Sequence, residues 1–376
     1  MKFIVSSGLL LKNLQSIGGI LSTKNNMPIL GDFLMEISGN TLKMTASDLE
    51  TTMISEMELD MSEGDGMFAV PAKMLLDVLK TFADVPITFI VDEETQQISL
   101  SVGEGHYSIA GHNGDEYPKI PEFGGTDTVT LSSSTLLSAI STTLFATSTE
   151  ELRPSITGVL FDITPEEIIF VATDAHKLVK YTKKGHMSDS VTSFIVPKKP
   201  LNQLKSILME DETDILIEYN KTNVTFTFGH YKMYSRLINA PFPNYQMIIP
   251  KDNHNNMVID KDLLEGTMRR ISLFANKANN QVSFNIKNGE IVITGEDISL
   301  SNKAQDRLVC EYQGDEILIG FNSRIFLDLL NHIEAKMIKV ELSQPTRPAV
   351  ILPIEDSEEE SDEKYIMLIS PVMLNN

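Results

Sequence analysis

Hydrophobic residues recur along the chain with two spacings, one typical of helices and one typical of strands, and segments with these two spacings alternate. Near the amino terminus Leu10, Leu14 and Ile17 recur at steps of three and four residues, which predicts an amphipathic helix with one buried face. Residues 41–46 then alternate apolar and polar side chains, with Leu42 and Met44 on one side, which predicts a half-buried strand. Helical and strand periods keep alternating to the end of the chain, which is typical of an α+β protein.

A second helix follows a Val-Pro pair, since proline suits the first helical turn. Its apolar stripe recurs in three places: Leu75, Leu76, Leu79 and Phe82; Leu201, Leu204 and Leu208; and Phe326, Leu329, Leu330 and Ile333. A hairpin comes after it, for example residues 215–219 and 224–228. Each unit is therefore predicted to open with a helix and to contain two helices and roughly eight strands. Each helix can cover one sheet, so the helices collect on one side.

The same segment occurs three times, at residues 42–49, 169–176 and 291–298. Its aspartates, Asp48, Asp174 and Asp297, are 126 and 123 residues apart, and prolines near the unit ends repeat at similar intervals. A period of this length is the size of a whole domain. We predict three similar domains, at 1–125, 126–252 and 253–376, with boundaries near Gly124-Gly125-Thr126 and Lys251-Asp252-Asn253.

Composition narrows the class of protein. A single cysteine, Cys310, provides no disulfide framework, and no apolar run approaches the ~18 residues of a membrane span. The first residues lack a secretory pattern. We therefore expect a soluble, cytoplasmic protein. The net charge of −21 opposes nucleic-acid binding at first sight, but acidic residues are concentrated in predicted loops and strand ends. The densest run, Glu355 to Glu363, holds seven acids in nine residues, and we interpret it as a solvated surface loop.

Basic residues, in contrast, fall on the predicted helices. Lys73 and Lys80 are seven residues apart on one helix, and Lys198 and Lys205 repeat that spacing in the second unit. Lys12, Lys199, Arg269, Arg270 and Arg324 also lie on predicted helices. Single lysines on helices are ordinary surface residues. Their recurrence on helices of every unit, however, predicts a basic lining on an acidic body if all helices face one way.

No catalytic motif stands out. His176 has no nucleophile motif around it, so a packed or groove-lining role is favoured. Asp48, Asp174 and Asp297 come from separate units at strand ends, which favours a turn or cap role over a metal cluster. Residues 103–106 lack the GK[ST] ending of a phosphate loop. Two alternatives stay open: a monomeric protein-interaction scaffold, and a metal-dependent nuclease or transferase.

With these motifs the chain resembles the beta sliding clamp family, the processivity subunit of bacterial DNA polymerase III. The resemblance covers essentially the whole chain and is carried by residues 45–50, 172–178, 240–250 and 365–374. It implies the clamp fold of three repeated domains, with helices lining the inside and antiparallel sheets outside. It also implies a head-to-tail homodimer that closes as a ring around duplex DNA.

The resemblance implies a non-catalytic, cytoplasmic protein, nucleoid-associated during replication, without cofactor or metal. It would hold DNA without sequence preference and dock the replicative polymerase, the clamp loader and repair proteins through short linear motifs. The expected DNA-facing residues are Lys12, Lys24, Lys73, Lys80, Lys198, Lys199, Lys205, Arg269 and Arg270. Weak phosphate contacts would centre the duplex and still allow sliding.

The resemblance also places a peptide groove between the second and third domains. Its residues would be Ile156, Thr173, Ala175, His176, Lys177, Leu178, Pro243, Met247, Ile248, Ser370, Pro371, Val372, Met373 and Leu374. Ala175 stands where glycine is usual and Lys177 where arginine is usual. Met247 and Met373 replace usual basic residues. The groove is thus expected to be more apolar than is typical, so that partner motifs depend on hydrophobic anchors.

Overall fold

The structure, a computed structural model, describes residues 1–21, 27–119, 127–185, 188, 191–354 and 361–374. The chain forms two compact units. One consists of Met1–Leu137 and Val196–Ile238, and the other of Ser138–Ile195 and Asn239–Asn376. Both combine helices with antiparallel sheets, which confirms the predicted α+β class. Lys24 and the boundary at Gly124-Gly125-Thr126 lie outside the described residues, as does most of the acidic run that starts at Glu355.

In the first repeat a strand precedes the first helix, whereas the periodicity alone predicts that the helix opens the unit. The described elements are β1 (Lys2–Ser6), α1 (Ser7–Gly18), β2 (Asp32–Ser38), β3 (Thr41–Ser47), β4 (Thr51–Glu58), β5 (Met61–Glu63), β6 (Gly66–Pro71), α2 (Ala72–Leu79), β7 (Pro86–Val91), β8 (Gln97–Val102), β9 (Gly105–Ala110) and β10 (His112–Asn113). The first strand escapes prediction because it is short and ends in Ser6, whose side chain caps α1 by accepting from Leu9 N–H.

The second and third repeats also begin with a strand. The second contains β11 (Asp127–Ser132), α3 (Ser133–Thr143), β12 (Gly158–Ile163), β13 (Glu167–Thr173), β14 (Lys177–Lys184), β15 (Thr192–Pro197), α4 (Lys198–Ile207), β16 (Asp214–Tyr219), β17 (Asn223–Phe228) and β18 (Tyr231–Arg236), followed by a short α5 (Tyr245–Ile248). The third contains β19 (Asn255–Asp260), α6 (Lys261–Ser272), β20 (Gln281–Lys287), β21 (Glu290–Asp297), β22 (Asn302–Val309), β23 (Glu311–Gln313), β24 (Ile317–Asn322), α7 (Ser323–Leu330), β25 (Met337–Leu342), β26 (Ala349–Ile354) and β27 (Glu363–Ile369).

Two nine-stranded sheets each join strands of consecutive repeats. The first has the order β10-β6-β2-β3-β4-β18-β17-β16-β11, and the second β15-β12-β13-β14-β27-β26-β25-β19-β23. The repeats meet where β4 pairs antiparallel with β18 and where β14 pairs antiparallel with β27. The strand orders of the two smaller sheets are β5-β1-β7-β8-β9 and β22-β21-β20-β24. The compact units therefore do not coincide with the repeats, and the proposed domain boundaries stay a prediction.

The predicted apolar stripes form the core. Leu10, Leu14 and Ile17 of α1 are fully buried, and Phe326 of α7 is buried between Phe284 and Phe321 with ring centroids 5.1 and 5.3 Å away. Aromatic clusters of this kind add stacking energy to their large buried area. The prolines of the Val-Pro pairs occupy the N-cap position of α2 and α4, one residue before the helical turn in which they were expected.

Candidate functional site

A tight turn between β13 and β14, residues 173–177, places the central residues of the candidate site. The Asp174 carboxylate accepts hydrogen bonds from the backbone N–H of His176 at 2.9 Å and of Lys177 at 2.8 Å. The Thr173 hydroxyl donates to the Lys177 carbonyl at 2.6 Å and accepts from Ala175 N–H. An aspartate that bonds backbone amides two and three residues ahead stabilises such turns. The predicted turn role of Asp174 is confirmed.

Ala175 adopts a left-handed backbone conformation, with φ at 77°. A side chain is strained in this region, whereas glycine adopts it freely. This geometry explains why glycine suits the position. It also turns Ala175 and His176 outward, since both are exposed while Thr173 and Leu178 on either side are buried.

Lys177 lies beneath this turn. Its side chain is only 9% exposed, and Nζ bonds to the Asp174 carboxylate at 2.7 Å and to Asp328 of α7 at 3.2 Å. The ammonium group also lies 5.9 Å from the centroid of the Phe145 ring, a cation–π contact. The expectation that Lys177 lines a groove stays untested, but its buried charge holds the turn against α7.

The carboxyl-terminal tail reaches the same turn. Ser370 N–H donates to the His176 carbonyl at 2.8 Å, and Val372 N–H donates to the carbonyl of Gly320 in β24 at 2.9 Å. A Cβ on Gly320 would lie 2.6 Å from the Val372 carbonyl oxygen, so only glycine lets the tail approach this closely. The sequence contains no clear signal for this role of Gly320. The structure thus brings His176 and the tail together through a direct hydrogen bond.

Helix α5 presents two further exposed residues of the predicted groove, and Pro243, which is also exposed, precedes it. Tyr245 is buried and donates its hydroxyl hydrogen bond to Asp162 at 2.7 Å; burial and the nearby carboxylate raise the pKa of this phenol. With Tyr245 anchored, Met247 and Ile248 are left exposed. Ile156 is 3% exposed, so it supports the site from within more than it offers surface. The anchoring role of Asp162 was not predicted.

The basic residues divide into paired and unpaired groups. Lys12, Lys73, Lys198 and Lys205 lie on α1, α2 and α4 and form no ion pair within the described parts of the chain. Lys80 lies 3.7 Å from Asp77. Arg269 pairs with Glu265 at 2.5 Å and Arg270 with Asp306 at 2.8 Å, which lowers the pKa of Asp306. Lys199 bonds to the Asp48 carboxylate and the Ile20 carbonyl.

Basic residues are not confined to helices. Helix α3 contains no lysine or arginine. Lys180 and Lys184 of β14 share a sheet face with Lys364 of β27, beside a cavity of about 240 Å³ that Glu167 and Thr182 also line. The opposite face of β14 carries Tyr181, whose hydroxyl bonds to Ser138 of α3. The strand lysines therefore lie on the sheet face away from that helix.

The other two repeated aspartates also hold turns. Asp48 accepts from the backbone N–H of Glu50 at 3.0 Å and of Thr51 at 2.7 Å. Asp297 accepts from Ser299 N–H at 3.0 Å, and the Ser299 bonds lower the pKa of this carboxyl. The turn and cap roles predicted for both are confirmed. Within the described residues there is no group of three acidic, histidine or cysteine side chains with metal-binding geometry. None of the described helices combines the length and the apolar composition that a membrane span requires.

Comparison with known families matches the chain in three consecutive segments. Residues 1–121 match the DNA polymerase III beta subunit N-terminal domain, residues 130–244 its central domain, and residues 246–368 its C-terminal domain. The beta sliding clamp of Proteus mirabilis is 28% identical over 344 residues, covering 91% of this chain and 93% of the relative. That of Vibrio cholerae is 26% identical over 356 residues, covering 95% and 97%.

Solved structures agree with these matches. The sliding clamp of Pseudomonas aeruginosa bound to griselimycin superposes with a TM-score of 0.93 at 25% identity, covering all of both chains. The sliding clamp of Bartonella birtlesii bound to griselimycin gives 0.91 at 25% identity, again over both full chains. The similarity thus extends across all three repeats.

Proposed function

This chain belongs to the DNA polymerase III beta subunit family, the beta sliding clamps, and from that premise we propose which of its surfaces bind partner proteins and DNA. It is a DNA sliding clamp, a non-catalytic processivity subunit of the polymerase that acts as a homodimeric ring. We further propose that it works in the cytoplasm, on replicating DNA. The finer assignments below concern individual residues.

We propose that partner peptides bind at the turn 173–177, the tail 370–374 and helix α5, which together we call the peptide groove. The observation that carries this assignment is the hydrogen bond from Ser370 N–H to the His176 carbonyl, because it fixes the tail against the turn. Exposed Met247, Ile248 and Met373 supply apolar surface, while Ile156, Leu178 and Lys177 support it from below. Apolar surface with a few exposed backbone groups is typical of sites that accept short peptides.

Fluorescence polarisation with a short labelled peptide carrying the clamp-binding motif of the replicative polymerase tests this groove. Ile248→Glu places a charge on the apolar surface and is expected to weaken binding at least about tenfold. Val191→Glu is the matched control, because Val191 is 75% exposed in the same compact unit but outside the groove. Equal affinities for the two variants would contradict the assignment.

We propose that Lys12, Lys73, Lys198 and Lys205 supply the main contacts to DNA phosphates. Their ammonium groups are not neutralised within the described chain, whereas those of Lys80, Lys199, Arg269 and Arg270 have acidic partners. Loose, unpaired charges suit a ring that must slide, since each phosphate contact is weak and depends on salt.

Charge reversal tests the DNA contacts. Lys198→Glu with Lys205→Glu is expected to shorten the retention of loaded clamp on nicked circular DNA, most clearly at low salt. Lys180→Glu with Lys184→Glu changes the net charge equally, but on the strand face away from α3, and is expected to have a much smaller effect. If both double variants lost retention on DNA equally, the net charge of the protein alone would explain the loss.

We propose that the ring closes through β9 of one protomer and β22 of its partner. Both are terminal strands of their sheets, and unpaired strand edges favour pairing with another chain. Tyr107 of β9 is exposed, as are Leu273 and Phe274 at the end of α6, the helix that contacts β22. Small-angle scattering should give twice 41.9 kDa for the unmodified chain and 41.9 kDa for Leu273→Glu. A variant that stays dimeric at low concentration would contradict this strand pairing.

A further inference from the structure

Two methionines of the peptide groove are unusually accessible. Met247 is 83% exposed and Met373 is 74% exposed, the two largest values among methionines in the described ranges. Met209 follows at 68%, but it lies outside the groove. Others, such as Met44 and Met233, are fully buried. The most exposed thioethers of the described chain therefore coincide with its proposed binding surface.

The backbone around both methionines is anchored, so their exposure follows from the fold. Tyr245 is buried two residues before Met247 and bonds to Asp162. Val372, next to Met373, is bonded to the Gly320 carbonyl. Cys310, the other sulfur residue that oxidants attack, is buried, and burial raises the pKa of its thiol to about 11. Because oxidants react with the thiolate form, the Cys310 thiol should consume little peroxide compared with the exposed methionines.

We propose that Met247 and Met373 form an oxidation-sensitive site, at which hydrogen peroxide converts both thioethers to sulfoxides and thereby weakens peptide binding. In each conversion the sulfur takes one oxygen atom from the peroxide as the O–O bond breaks. The sulfur loses two electrons and the peroxide is reduced to water. The inference rests on the proposed peptide groove and specifies how that groove is regulated.

Oxidation should weaken binding because a bound peptide would bury the oxidised side chain. A thioether is apolar and flexible, and it can pack against the hydrophobic anchor of a partner peptide. A sulfoxide carries a strong acceptor oxygen, which a bound apolar anchor would cover without providing a donor. Oxidation of both residues is expected to weaken binding about tenfold. Methionine sulfoxide reductases should restore the affinity, because sulfoxide formation is reversible.

The test uses the full chain, hydrogen peroxide and the labelled polymerase peptide. Intact wild-type protein and Met247→Leu/Met373→Leu protein are oxidised, freed of peroxide, mapped by mass spectrometry and titrated with peptide. Each oxidised sample is compared with its own reduced form. Met209 remains in both proteins and serves as the internal control for oxidation outside the groove.

The expected result is about tenfold weaker binding for oxidised wild type, recovery after reductase treatment, and less than about a twofold change for the leucine variant. Wild type that carries both sulfoxides yet keeps its affinity would overturn the proposal. An equal loss in the leucine variant would also overturn it, because other methionines would then be responsible. Absence of peptide binding by the reduced wild type would instead refute the groove itself.

Discussion

The turns at residues 47–51 and 173–177 have the same hydrogen-bond pattern but different surroundings. In each, one aspartate oxygen accepts from two backbone amides, and the residue before the aspartate bonds across the turn. In each turn, the backbone carbonyl of the second residue after the aspartate accepts a hydrogen bond from a segment distant in the sequence. Glu50 accepts from Arg236 N–H at 2.9 Å, and His176 accepts from Ser370 N–H at 2.8 Å.

The two turns differ in what surrounds the shared backbone. At the first turn Arg236 also pairs with Glu50 through side chains, and the chain then continues into the rest of the protein. At the second turn Ser370 leads into residues 371–374, which include the exposed Met373. Both turns stand at junctions between repeats, where β4 pairs with β18 and β14 with β27, but only the second turn is part of the proposed binding groove, because the segment beside it differs.

Removal of the aspartate is the strongest test of this comparison. Asp174→Ala and Asp48→Ala each abolish two charge-assisted hydrogen bonds from backbone amides and one from a lysine, and should lower the free energy of unfolding of the affected part by about 3 kcal/mol. Only Asp174→Ala should also abolish peptide binding, since only its turn carries the tail. Denaturant titration and fluorescence polarisation measure the two effects. Peptide binding that fails equally in both variants would remove the functional distinction.

The next largest difference in stability is expected between substitutions of the two lysines that bind these aspartates, Lys177 and Lys199. Lys177→Met leaves the carboxylates of Asp174 and Asp328 facing each other in a partly buried site, which should cost about 2 kcal/mol. Lys199→Met breaks a pair whose lysine is 43% exposed and should cost under about 1 kcal/mol. Lys177→Arg restores a cation and should recover most of the loss. Thermal unfolding of the three variants in one buffer compares them.

The tail, which the first turn lacks, can be displaced by a single methyl group. Gly320→Ala should push the Val372 carbonyl away and weaken peptide binding about fivefold, with a stability loss of about 1 kcal/mol. Gly39→Ala offers a control with open space around the new atom, although its positive φ adds local strain. Crystallography of Gly320→Ala would show whether the tail has shifted.

The smallest effect is expected at the strained residues. Ala175 and Leu49 have φ of 77° and 76°, and glycine at either position should stabilise by about 0.5 kcal/mol, because relief of strain is partly offset by entropy in the unfolded chain. Ala175→Gly should leave peptide affinity within about twofold. A destabilised Ala175→Gly protein would show that the turn has another source of constraint.

Periodicity predicted most helices and the hairpin of β16 and β17. The apolar residues on the buried face of a helix or strand recur at a fixed spacing, and this spacing does not depend on which distant elements pack against them. It missed the short opening strands, since five residues such as Lys2–Ser6 contain too few periods to distinguish. The turn role of Asp48, Asp174 and Asp297 was predictable for the same local reason: an aspartate bonds amides two or three residues away.

The sequence by itself determined the threefold repeat, the α+β class, the aspartate turns and, through resemblance, the family. These properties depend on local spacing or on whole-chain similarity. Only the tertiary structure decided that Lys177 is buried between Asp174 and Asp328, that Lys199 is held by Asp48, and that Gly320 admits the tail. Apart from the Lys177–Asp174 pair, each of these contacts joins residues of different elements or far apart in the chain, and no local pattern encodes which side chains will meet when sheets and helices pack.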